Sequence, residues 1–82
     1  MPLDKEEIKT IVGQKFREIR RMKNLSIERV AHEAGIEYTQ LSRIELGKIN
    51  TSIYHAYIIS ESLDVTLPEI FIDLYRSNGE SK

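Results

Sequence analysis

Apolar residues recur at three- and four-residue intervals along most of this chain. That period places them on one side of a helix, and no segment reads as a strand. Five helices follow. The first is predicted from Asp4 to Lys23, with Ile8, Ile11, Val12, Phe16 and Ile19 on one face. Asp4 and Glu7 have the spacing and acidity of an N-terminal cap. Gly13 costs a helix interior roughly 1 kcal/mol, so it is expected to serve a close backbone contact.

The pattern breaks at Asn24-Leu25 and resumes at Ser26, a good N-cap. The second helix carries Ile27, Val30, Ala31 and Ala34 inward and ends at Gly35, which can take the left-handed conformation. Ile36 follows as an anchor in the turn. The third helix starts near Glu37, turns Leu41 and Ile44 inward, and stops at Gly47. Residues 47–52 form a loop. The fourth starts after Ser52, with Ile53, Ala56, Tyr57, Ile59, Ser60 and Leu63 assigned inward. Asp64-Val65 is a short turn. Thr66 and Glu69 have capping-box spacing at the start of the fifth, and Pro68 is tolerated in a first turn. Ile70, Phe71 and Leu74 face the core. Residues 1–76 make one domain, and residues 77–82 read as a frayed tail.

A chain of 82 residues has room for one small all-α domain. It contains no cysteine, so disulfides, thiolate metal sites and cysteine catalysis are excluded. His32 and His55 lie in no metal-ligand spacing, and both are expected on the surface. No cofactor or metal is implied. No run of about 18 apolar residues is present, so no membrane span is expected. The charged N-terminus lacks an apolar signal segment, which points to the cytoplasm. The net charge of −1 hides an uneven spread. Residues 9–50 hold nine Lys/Arg against five Glu, a net of +4, while residues 51–82 carry −3 and residues 1–8 carry −2. The total argues against a nucleic-acid binder; the local excess keeps that reading open.

Two short helices joined by a tight glycine turn describe a helix-turn-helix. Here the pair is Ser26–Ala34 and Glu37–Leu46, with Ala31 and Gly35 at the tight points. Many helical bundles contain such a pair, so this geometry leaves both a DNA reader and a plain bundle open.

The residues themselves narrow the choice. Leu25-Ser26-Ile27-Glu28-Arg29-Val30-Ala31-His32-Glu33-Ala34-Gly35-Ile36 resembles the first half of the motif in the lambda-repressor/Cro-like, or XRE-type, family. Leu41-Ser42-Arg43-Ile44-Glu45-Leu46-Gly47-Lys48 resembles the end of its recognition helix. Ser52-Ile53 and Leu63 through Phe71 resemble its fourth and fifth helices. The likeness covers residues 12–74, with every piece in order at family spacing.

The resemblance implies a compact five-helix domain that reads duplex DNA in the major groove with its third helix. Tyr38, Thr39 and Arg43 fall where the family reads bases, and Gln40 lies beside them. Arg43 suits a bidentate contact to guanine and Gln40 one to adenine; the Thr39 methyl suits a thymine methyl. Ser26, at a helix N-terminus, is a phosphate candidate. So are Ser42, Arg17, and Lys48 and Asn50 in the loop where the family grips the backbone. Matching positions of Arg20 and Glu45 form an internal salt bridge in the family, which would fix the angle of the reader helix. Ile27 departs from a common glutamine, Leu46 from a usually polar residue and Thr51 from a common proline. These departures bear on the backbone grip, not on the reader helix.

Plainer readings stand beside these. Arg43, Arg17 and Arg21 can be solvated helix cations, and Gln40 a surface amide. Tyr38 can pack across the turn. Glu37 is best read as a carboxylate at the positive end of a helix dipole. Tyr54 and Ile58 on the fourth helix, and Ile72 and Tyr75 on the fifth, are left over once the core is assigned. They are either an apolar interface or ordinary amphipathic surface. As an interface they imply a homodimer on a palindromic operator. The leading expectation is therefore a sequence-specific transcriptional regulator of prokaryotic or phage type. The alternative is an interaction module or antitoxin that keeps the fold and binds a protein partner. No nucleophile, general base and orienting group stand together, so an enzyme is the most distant reading.

Overall fold

The computed structural model describes residues 2–79. Its elements are α1 (Lys5–Met22), α2 (Ile27–Ala34), α3 (Tyr38–Glu45), α4 (Ile53–Ser62) and α5 (Leu67–Gly79), with no strand among the described residues. Residues 77–79, expected in the tail, are helical and belong to α5, while 80–82 lie outside the described residues.

The helix boundaries are set by local side chains. Asp4 Oδ1 accepts the Glu7 N–H at 2.8 Å, and Glu7 Oε1 accepts the Asp4 N–H at 2.9 Å, a reciprocal cap on α1. Ser26 Oγ accepts the Arg29 N–H at 3.1 Å, and Ser52 Oγ accepts the His55 N–H at 3.0 Å. Glu69 accepts from both the backbone N–H (2.9 Å) and the hydroxyl (2.8 Å) of Thr66 ahead of α5. Those two bonds, the backbone one first, hold the Glu69 carboxyl below its usual range. Gly35 closes α2 at φ 76°, where its N–H reaches the His32 carbonyl. Asn24 and Asp64 end α1 and α4 at φ 57° and 61°, a conformation that short polar side chains tolerate.

The core is drawn from all five helices. Phe16, Leu41, Ile44, Ile59, Leu63 and Ile70 are fully buried, with Val12, Val30, Ala31 and Ala56 around them. α1 packs on α3 and α5, and α2 packs on α3 and α4. The Ser62 hydroxyl donates to the Val30 carbonyl at 3.2 Å and ties α4 to α2. Lys15 lies 3.0 Å from Asp73 and 3.5 Å from Glu18, joining α1 to α5.

Three residues assigned to the inward side are exposed. Ile53 and Tyr57 of α4, expected inward, are exposed, and Ile8 sits at the edge of the core with one side in solvent. The cause lies in α4 itself. Ile53, Tyr54, Ala56, Tyr57, Ile58 and Ile59 surround the helix, so no single apolar stripe marks the buried side. The core takes Ala56, Ile59, Ser60 and Leu63.

Candidate nucleic-acid interface

The reader candidate, α3, is seated from behind by α1. A Cβ at Gly13 would collide with the Ile44 carbonyl oxygen and stand 3.0 Å from that of Glu45. Glycine is therefore required for α1 to approach the α3 backbone this closely. Beside this contact, Arg20 grips Glu45 through two bonds, Nε to Oε2 at 2.8 Å and Nη2 to Oε1 at 3.0 Å. Arg20 Nη1 also donates to the Leu25 carbonyl at 2.9 Å, which fixes the chain entering α2. Glu45 is buried, and its hydrogen bond, more than its charge, raises Arg20 above its usual value despite partial burial. No buried side-chain nitrogen or oxygen among the described residues lacks a partner. One pair of ions thus links α1, the turn before α2, and α3.

The outer side of α3 is open. Tyr38 is 47% exposed, Thr39 and Arg43 are exposed, and Gln40 and Ser42 are half-buried. Leu41, Ile44 and Glu45 occupy the opposite face. The N-cap of α3 differs from those of α1, α2 and α4. Glu37 stands there in extended conformation, but its side chain makes no capping hydrogen bond. The first N–H groups of α3 are left without that partner, at the end that carries Tyr38 and Thr39.

Arg43 on α3 and Lys48 just after it are cations not spent on carboxylates, and Arg17 on α1 is another. Arg17, Arg43 and Lys48 make no ion pair among the described residues, whereas Lys9, Lys15, Arg29 and Arg76 each lie against one. Asn50 and Ser26 are exposed, and Ser26 Oγ keeps its own proton free while capping α2.

His55 departs from its expected surface position. It is half-buried rather than on the surface, and its Nδ1 lies 3.3 Å from Gln40 Nε2 and 3.1 Å from Ser52 Oγ. A histidine three residues after a serine cap can turn back over the first helical turn, and that spacing was the available signal. Its meeting with Gln40, on another helix, needed the fold.

Apolar side chains also stand outward on α4 and α5. Tyr54 and Tyr75 are strongly exposed and Ile72 is 41% exposed, while Ile58, expected outside, is half-buried. The exposed Ile53 and Tyr57 enlarge the apolar surface of α4. Beside it, an apolar groove is lined by Ile8, Ile49, Ile53, Phe71, Leu74 and Tyr75.

Two short helices crossed at a glycine turn, the second pinned from behind and open in front, define a helix-turn-helix DNA-binding domain. The helix-turn-helix family model matches residues 16–70. The chain is 38% identical over 69 residues to the control protein C.MunI of a Mycoplasma species, covering 83% of this chain and 93% of that protein. Among solved structures, the restriction-modification controller protein C.AhdI of Aeromonas hydrophila is 30% identical, with a TM-score of 0.75 over 77% of this chain and 96% of that one. The clp gene regulator ClgR of Corynebacterium glutamicum shares the fold at 19% identity, with a TM-score of 0.81 over 94% and 95% of the two chains. The chain belongs to the helix-turn-helix family, in its XRE-type branch of DNA-binding transcriptional regulators. That family is one of regulators rather than enzymes. None of the helices among the described residues is long and apolar enough to cross a membrane.

Proposed function

We propose that this protein is a homodimeric, sequence-specific transcriptional regulator of the restriction-modification controller kind, placing α3 in the major groove of a palindromic operator. The observation that carries the reading is the asymmetry of α3. Its inner face is fixed by Gly13 and Arg20, and its outer face offers Tyr38, Thr39, Gln40 and an unpaired Arg43, with Lys48 following the helix. Arg43 reads guanine, Gln40 adenine, and Tyr38 and Thr39 the neighbouring edges. Ser26, Ser42, Arg17, Lys48 and Asn50 hold phosphates on either side. Arg20 and Glu45 act at a distance, by setting the angle of the reader. The control proteins among the relatives, both at 30% identity or more, support the controller assignment.

One such domain covers few base pairs, and a two-fold partner doubles the site. The surfaces of α4 and α5 supply the contact through Tyr54, Ile58, Ile72 and Tyr75, an apolar patch of the kind that marks interfaces. The protein acts in the cytoplasm, without metal, cofactor or enzymatic activity, and residues 1–76 suffice for binding.

The test is selection of bound sequences from a random duplex library at two salt concentrations, with the association state followed by sedimentation. A palindromic site is expected, with affinity falling as salt rises. It should be lost in the Arg43→Ala/Gln40→Ala double variant. If a folded protein enriches no sequence at low salt, the regulator reading is wrong and a protein partner must be sought.

A further inference from the structure

Among the described residues, α3 makes side-chain hydrogen bonds to other elements at two places. One is the Arg20–Glu45 pair at its inner end; the other is Gln40 to His55 on the first turn of α4. The second involves a residue on the reading side, so it bears on what that residue offers to a base.

We infer that His55 is a specificity-determining positioning residue: its Nδ1 fixes the orientation of the Gln40 carboxamide, and so the order of donor and acceptor that α3 presents. This rests on the reading of α3 as the base-reading helix. The geometry supports it in three steps. First, the ring is itself held. Ser52 Oγ accepts the His55 backbone N–H at 3.0 Å and lies 3.1 Å from Nδ1. Second, Gln40 Nε2 can only donate, so His55 Nδ1 is its acceptor and the ring proton belongs on Nε2, with Ser52 Oγ beside the same lone pair. Third, Gln40 Nε2 carries two protons. One is directed at His55, which leaves the other proton and Oε1 as an ordered pair.

That ordered pair is what adenine requires, since its major-groove edge has one acceptor and one donor. An unheld carboxamide turns about its last bond and presents the two groups in either order. Holding it in one order before binding removes that ambiguity and its entropic cost. His55 need not touch DNA for this. Its effect is confined to the base pair that Gln40 reads, which separates it from a phosphate contact, whose loss weakens all sequences alike.

The experiment compares the unaltered protein with His55→Ala, His55→Asn, Gln40→Ala and the His55→Ala/Gln40→Ala pair. Each is bound to the randomised duplex library and read position by position, with melting curves to establish folding. His55→Ala should lower the preference about threefold or more at the base pair that Gln40→Ala flattens, and nowhere else. His55→Asn should keep the preference, because its Oδ1 stands near the place of Nδ1 and accepts. The double variant should lose no more there than Gln40→Ala alone. If His55→Ala fails to melt cooperatively, His55→Leu supplies bulk without an acceptor and takes its place. The inference is overturned if His55→Ala leaves that position unchanged, weakens every sequence equally, or adds its loss to that of Gln40→Ala. If the unaltered protein enriches nothing, the DNA reading falls and this inference falls with it.

Discussion

The two faces of α3 are built on opposite terms. The inner face has a backbone-to-backbone seat at Gly13, a buried ion pair at Glu45, and Leu41 and Ile44 in the core. The outer face has an uncapped first turn, three exposed side chains and one amide held by a neighbouring histidine. The contrast teaches where a short recognition element gets its rigidity. Eight residues are too few to make a stable helix on their own. Rigidity comes from tertiary contacts on one side, which frees the other side for polar groups that do not help the fold.

The largest effect should come from breaking the inner side. Arg20→Ala leaves the Glu45 carboxylate buried without its counter-charge and the Leu25 carbonyl without its donor. A loss of about 3–5 kcal/mol in urea unfolding is expected. Gly13→Ala comes next. Alanine gains roughly 1 kcal/mol of helix propensity. The collision with the Ile44 carbonyl outweighs that gain, because a backbone atom cannot swing aside. The net destabilisation should be about 1–3 kcal/mol, with α3 displaced and DNA affinity reduced.

The outer side should respond in the reverse manner. Arg43→Ala is expected to leave the melting temperature unchanged. In competition binding it should remove about 1–3 kcal/mol of discrimination at one base pair. A melting shift as large as that of Gly13→Ala would mean the two faces are not separate. The smallest effect is a sharpening. Glu37→Ser supplies the missing cap and removes a negative charge from beside the reader. Stability should rise by about 1 kcal/mol or less, and affinity for DNA should rise with it.

The comparison also marks what could be read from the sequence. Asp4, Ser26 and Thr66 announced their helices because capping is decided within four residues, and Ser52 caps α4 in the same way. Gly13 announced a close approach because nothing in its own helix explains it. Arg20 with Glu45 was legible through the family likeness, since the two lie 25 positions apart. Where apolar residues ran all round α4, periodicity lost its direction, and Ile53 and Tyr57 were turned the wrong way. His55 was illegible for a different reason. Its partner Gln40 lies 15 positions earlier on another helix, and no local pattern encodes a contact between helices.

The Gly13 seat has a consequence for engineering. It fastens α3 by main-chain atoms, which are the same whatever side chains the helix carries outward. A combinatorial library at positions 38, 39 and 43 should therefore keep the scaffold while changing its target sequence. Position 40 should be varied only together with 55.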